Sequence, residues 1–131
     1  MSSAPSERTA ARKRILIADD DPAISRLLER ILGYEFDVAT TSDGRAALQL
    51  AEQIHPDLMI LDVMMPGLDG FAVAAQARNI PGLRTVPIIF LTARDNASDT
   101  IKGIQAGARH YITKPFKIDD VTAKVRKTLG L

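Results

Sequence analysis

Five short apolar runs punctuate the chain, and the stretches between them carry helical patterns; this alternation restricts the fold more than any other feature. The runs are Ile15-Leu16-Ile17-Ala18, Phe36-Asp37-Val38-Ala39, Leu58-Met59-Ile60-Leu61, Val86-Pro87-Ile88-Ile89-Phe90-Leu91 and His110-Tyr111-Ile112-Thr113. Unbroken apolar runs of this length suit strands covered on both faces, as in a parallel sheet. Pro87 belongs near the start of its strand, where a missing N–H is tolerated.

The intervening segments read as helices. Asp21-Pro22 supplies an N-cap followed by proline at the first helical position, and Ile24, Leu27, Leu28 and Ile31 form a stripe that Gly33 ends. Ser42 or Asp43 caps a second helix bearing Ala46, Ala47, Leu48 and Leu50 before Pro56. A third runs through Phe71, Val73 and Ala74 to about Arg78, and a fourth carries Ile101 and Ile104 up to Gly107. The last begins near Asp119-Asp120, whose charges favour a helix N-terminus, and bears Val121, Val125 and Leu129. Five strands alternating with five helices predict an α/β fold: a doubly wound, five-stranded parallel sheet of flavodoxin-like order 2-1-3-4-5. The pattern occupies residues 14–131 as one domain, behind a disordered basic tail over residues 1–13.

Charge and composition narrow the function classes. Lys and Arg number 17 against 16 Asp and Glu, a formal charge of +1. The first 14 residues hold Arg8, Arg12, Lys13 and Arg14 against Glu7, so the remainder is net acidic. Such a balance argues against direct DNA binding. The absence of cysteine removes disulfides, thiolate metal sites and cysteine nucleophiles, and is compatible with a cytoplasmic location. No run approaches the roughly 20 apolar residues of a membrane span.

In a doubly wound sheet, ligands bind beyond the carboxyl ends of the strands near the switch in strand order. The first expected strand ends at Asp19-Asp20-Asp21, the third at Asp62, the fourth at Thr92-Ala93 and the fifth at Lys114-Pro115. In the order 2-1-3-4-5 strands one and three are neighbours, so Asp19, Asp20 and Asp62 converge. Converging carboxylates repel unless a cation neutralises them. A hard divalent ion such as Mg2+, with carboxylate, water and phosphate oxygens as ligands, answers that need. Lys114 adds a fixed cation and Thr92 a hydroxyl donor. An aspartate held among these groups is arranged to accept a phosphoryl group. Each residue also has a plainer role: Asp21 as a helix cap, Asp19, Asp20 and Asp62 as turn residues, Thr92 as a cap, Lys114 as a solvated charge. Their joint placement at four strand ends separates the two readings.

Those positions, together with the blocks Ile15 to Pro22, Pro56 to Gly70, Pro87 to Ala93 and Tyr111 to Phe116, closely resemble the receiver domain of bacterial two-component response regulators, over about residues 14–131. The resemblance implies that Asp62 is the phosphoacceptor. It also implies that Asp19 and Asp20 hold Mg2+ with Asp62 and the backbone carbonyl of Met64. Thr92 and Tyr111 correspond to the switch pair, Lys114 to the phosphate-contacting lysine, and the Lys114-Pro115 bond to one that is usually cis. Ala93 keeps the small residue that leaves room for the phosphoryl group. The partners so implied are a sensor histidine kinase or histidine phosphotransfer protein. Output would pass to a downstream protein, or a homodimer, through the face of the fourth helix, fifth strand and last helix. The domain would catalyse only its own phosphorylation and dephosphorylation. Met64 and Arg94, two residues beyond Asp62 and Thr92, are not acceptors that orient water, so a long-lived phosphoryl group is expected.

Two rival readings fit less well. A haloacid-dehalogenase-like, Mg2+-dependent phosphatase would place a second aspartate where Met64 stands. A flavodoxin-like cofactor binder needs a phosphate-cradling loop where this chain has Asp19-Asp20-Asp21. His55 and His110 read as a helix-end and a strand residue. Leu131 directly follows the last helix, compatible with a single-domain regulator or a receiver from a longer protein.

Overall fold

A computed structural model describes residues 12–93 and 108–131. Five strands, β1 (Arg14–Ala18), β2 (Asp37–Thr41), β3 (Leu58–Asp62), β4 (Ile88–Ala93) and β5 (His110–Lys114), form one sheet. Their order is β2-β1-β3-β4-β5, and every pairing is parallel. Four helices are described: α1 (Pro22–Leu32), α2 (Gly44–Ile54), α3 (Gly70–Ala77) and α4 (Ile118–Thr128). The helix expected around Ile101 and Ile104, and residues 1–11 of the tail expected over residues 1–13, lie outside the described residues. No described helix is long and apolar enough to cross a membrane.

The apolar runs are continuous because alternate side chains serve opposite cores. Ile15 and Ile17 of β1, with Leu58 and Ile60 of β3, pack beneath Leu28 and Leu32 of α1 and Val121 and Val125 of α4. Leu16 and Ala18, with Met59 and Leu61, face Ala47 and Ala51 of α2 and Val73, Ala74 and Ala77 of α3. Every residue of β3 is buried, as its central place in the sheet requires.

Local chemistry sets the helix starts. Asp21 caps α1 by accepting from the Ala23 N–H at 2.9 Å, with Pro22 next in line. Asp43, rather than Ser42, caps α2 through Ala46 at 2.8 Å, and Asp69 caps α3 through Ala72 at 2.8 Å. Helix α4 starts at Ile118 behind Lys117, which makes no side-chain cap bond; Asp119 and Asp120 complement the helix dipole from its first turn instead.

Several boundaries differ from the sequence expectation. On α1, Leu32 is buried while Leu27 is exposed. The helix turns past Gly33 to bury Phe36, so β2 begins at Asp37 and the apolar Phe36 serves the core from the connecting turn. The fold also reaches back beyond Arg14. Arg12 donates to the carbonyls of Gly33 and Phe36, both at 2.7 Å, and pairs with Asp37 at 3.3 Å. Lys13 continues the ladder, its carbonyl accepting from the Asp37 N–H at 2.9 Å.

Candidate functional site

The parallel register carries the ends of β1, β3, β4 and β5 to one rim of the sheet. Asp62 pairs across from Leu91, and Ala93 from Lys114. Beyond Ala18, the chain leaves β1 through Asp19 and Asp20. One carboxylate oxygen from each of Asp19, Asp20 and Asp62 lies within 4.8 Å of the others, so the three acids expected to converge do so. Asp19 and Asp62 are buried and Asp20 is exposed, giving the cluster a closed floor and an open side.

Backbone geometry holds the floor in place. Asp19 Oδ1 accepts from the Asp21 N–H at 2.8 Å, and its carbonyl accepts from Ser25 Oγ at 3.2 Å. Asp62 Oδ1 accepts from the Met64 N–H at 3.3 Å. Lys114 stands over both acids, 3.0 Å from Asp19 Oδ2 and 3.3 Å from Asp62 Oδ2. The Lys114-Pro115 peptide is cis, as the resemblance implied.

Gly70 fits the α3 start against the end of β3: a Cβ there would collide with the Asp62 carbonyl. Any side chain at 70 would therefore push α3 off the end of β3. Gly67, at φ +77°, supplies the left-handed turn of the connecting loop.

Among the described residues, the electrostatics are those of an acid-rich pocket with too little positive charge. Burial, followed by the neighbouring Asp19 charge, pushes the Asp62 carboxyl up to about 7 against the opposing pull of Lys114. Burial alone would pull the Lys114 ammonium down. Its hydrogen bond to Asp19 and the charges of Asp62 and Asp19 outweigh that and leave it raised. One lysine therefore does not balance the cluster. The oxygen spacing suits a single small cation: ligands about 2.0–2.6 Å from a Mg2+ or Ca2+ ion lie within such a span of one another. An all-oxygen donor set selects a hard ion.

Thr92 is buried, and its hydroxyl donates to the Ala93 carbonyl at 3.2 Å. Tyr111 is half-buried on β5, its ring 6.1 Å from that of Phe90, which itself meets Phe71 edge-on at 4.8 Å. Burial raises the Tyr111 hydroxyl. Lys124 of α4 donates to the Tyr111 carbonyl at 3.0 Å and pairs with Asp120 at 3.2 Å. Met64 is 71% exposed. Arg94 lies outside the described residues. His55 caps α2 in a left-handed conformation and His110 lies on β5, as read from the sequence.

Two contributors escaped sequence reading. Asp57 accepts from the Arg14 N–H at 2.8 Å and so aligns the starts of β1 and β3. Gly70 controls how close α3 comes to Asp62. Asp57 precedes an apolar run as any turn aspartate does, whereas the two closely spaced glycines, Gly67 and Gly70, were a usable signal for a tight approach.

Comparison with known proteins places this geometry in context. The response regulator receiver domain profile matches residues 15–126. The DNA-binding response regulator MtrA of Mycolicibacterium smegmatis is 41% identical over 119 residues, covering 90% of this chain and 51% of MtrA. The chemotaxis protein CheY4 of Vibrio cholerae superimposes with a TM-score of 0.85 at 27% identity, over 89% of this chain and 98% of that one. A sensor histidine kinase receiver domain of Pseudomonas aeruginosa matches with a TM-score of 0.84 at 30% identity, over 92% and 99% of the two chains. That structure holds a magnesium ion in its active site cleft. The chain spans about half the length, or less, of the curated relatives it matches.

Proposed function

The chain belongs to the response regulator receiver domain family of two-component signalling, and from that premise we propose that Asp62 accepts a phosphoryl group in a Mg2+-dependent reaction. The observation that carries this reading is the buried Asp62 carboxylate, gathered with Asp19 and Asp20 within 4.8 Å and faced by Lys114 at 3.3 Å. The donor is a sensor histidine kinase or a histidine phosphotransfer protein.

Asp19, Asp20 and Asp62, with the Met64 backbone carbonyl, would hold the ion. Bound there, Mg2+ keeps the carboxylates ionised and offsets charge on the transferring phosphoryl oxygens. The chain's own groups do the rest. Asp62 must be ionised to attack, and its carboxyl, pushed to about 7, is a weak nucleophile until another positive charge joins Lys114. One Asp62 oxygen then bonds to phosphorus as the bond from phosphorus to the donor nitrogen breaks. The Met64 N–H, already on Asp62 Oδ1, orients the carboxylate, and Lys114 stabilises the new phosphoryl oxygens.

The product carries roughly 1.5–2 negative charges and three strong acceptors beside the two side chains able to answer it. Thr92 turns its hydroxyl from the Ala93 carbonyl toward the phosphoryl group, and Tyr111 rotates inward. That changes the face formed by β5 and α4, which is read by a downstream protein or a second copy. Because Met64 is not an acceptor that orients water, the phosphoryl group is long-lived.

Acetyl phosphate with Mg2+ tests the reading without a cognate kinase. Wild-type protein incorporates one phosphoryl group, chelation of the ion prevents it, and Asp62→Asn abolishes it. Stoichiometric, stable labelling of Asp62→Asn would remove Asp62 from the role.

A further inference from the structure

Of the methionines among the described residues, Met59 is fully buried, Met65 is 7% exposed and Met64 is 71% exposed. The exposed one lies two residues beyond the proposed phosphoacceptor: its N–H bonds to Asp62 Oδ1, so an exposed side chain leaves the backbone right beside that carboxylate. Among the described methionines, an unshielded thioether beside Asp62, with Met59 and Met65 sequestered in the core, favours oxidation at position 64.

Resting on the phosphoacceptor reading above, we propose that Met64 is a peroxide-sensitive modification site whose oxidation shortens the life of the phosphoryl group on Asp62. The sulfur lone pair attacks the distal oxygen of a hydroperoxide, and the O–O bond breaks. Sulfur is oxidised to the sulfoxide, and the peroxide is reduced to water or the corresponding alcohol. The side chain keeps its length but exchanges a weakly polar sulfur for a strong acceptor oxygen. Hydrolysis of an acyl phosphate requires water held in line with the phosphorus, and the thioether at position 64 has little capacity to hold it. The sulfoxide oxygen accepts a hydrogen bond from that water and keeps it near the attack path. It orients the water without removing its proton, so its effect is that of one added hydrogen bond in the transition state, roughly tenfold in rate. Oxidation and phosphorylation then meet at one site, and methionine sulfoxide reductase chemistry restores the slow state.

The test uses the full chain. Protein is treated with dilute hydrogen peroxide, the oxidised methionines are mapped by peptide mass spectrometry, and phosphorylated protein is followed after removal of acetyl phosphate. The proposal expects sulfoxide at Met64 well before Met59 or Met65, and decay about tenfold faster. It further expects reversal by methionine sulfoxide reductases, and no change on peroxide treatment of Met64→Leu relative to the same variant untreated. Met64→Gln, which supplies a permanent acceptor, decays faster than Met64→Leu with no peroxide at all. Equal decay before and after oxidation, or an equal peroxide effect in Met64→Leu, overturns the proposal while leaving Asp62 as acceptor. Failure of untreated wild-type protein to be labelled overturns both.

Discussion

At the rim where the strands begin, Arg12 and Arg14 meet their partners almost one for one. Arg12 answers two carbonyls and Asp37, and Arg14 answers the Ile54 carbonyl at 2.7 Å while its N–H meets Asp57. At the opposite rim, Asp19 and Asp62 share Lys114, with Asp20 gathered beside them. The first arrangement satisfies carbonyls left open at helix and turn ends, which is a stability device. The second leaves like charges together and lifts Asp62 to about 7, which costs stability and is the imbalance that the proposed cation and phosphoryl chemistry would use. Charge count alone does not separate these rims; the balance of each cluster does.

The sharpest way to break the contrast is to remove one cation from each rim. Lys114→Ala should slow labelling by acetyl phosphate about 100-fold or more, the usual scale for losing a preorganised charge at a transferring group. Arg14→Ala should leave the labelling rate within about twofold. Parallel rate measurements decide it, and comparable losses in both variants would erase the distinction.

Next in size is a pH effect. Asp62 has a folded-state value near 7 against about 3.9 for an unfolded aspartate, so between those values the folded state binds the extra proton. Without added cation, wild-type stability relative to Asp62→Asn should fall as pH rises from about 4 to about 7, then level off. The gap should reach roughly 2–4 kcal/mol. Urea unfolding of both proteins across that range measures it, and saturating Mg2+ at pH 8 should narrow the gap. A gap that widens toward low pH would contradict the electrostatic picture.

A smaller loss is expected in the stability of Arg14→Ala, about 1–3 kcal/mol, because the Ile54 carbonyl loses its donor. Denaturant midpoints check this. Smallest is Asp21→Ala, about 1 kcal/mol for a lost helix cap, with labelling little changed. Asp20→Ala should instead raise the Mg2+ concentration that labelling requires, because the ion loses a ligand. If Asp21→Ala behaves like Asp20→Ala, the division between capping and ion-holding acids within one Asp triplet fails.

The fold was legible because a doubly covered parallel sheet writes itself as unbroken apolar runs. β3, buried throughout, was read to within a residue, and its neighbours set the order and the acidic rim. Edge strand β2 was harder: its residues are all half-buried, so its pattern is weak, and Phe36 belongs to the turn before it. Arg12 could not be distinguished from its basic surroundings in one dimension, because its partners lie more than twenty residues away. At the site, the carboxylates and Lys114 were legible because each ends a strand. The repulsion by Asp19 that helps raise Asp62 was legible in the same convergence; burial, the larger cause of the upward push, was not.

The central claim is that charge imbalance at the strand-end rim makes Asp62 the acceptor. The most direct measurement locates the phosphoryl group after reaction of the full chain with acetyl phosphate and Mg2+, by reductive trapping of the acyl phosphate and peptide mass spectrometry. The account predicts the trapped product at Asp62 and a chelator-sensitive yield. A product at Asp19 or Asp20, at a hydroxyl side chain, or formed equally without the ion would contradict it.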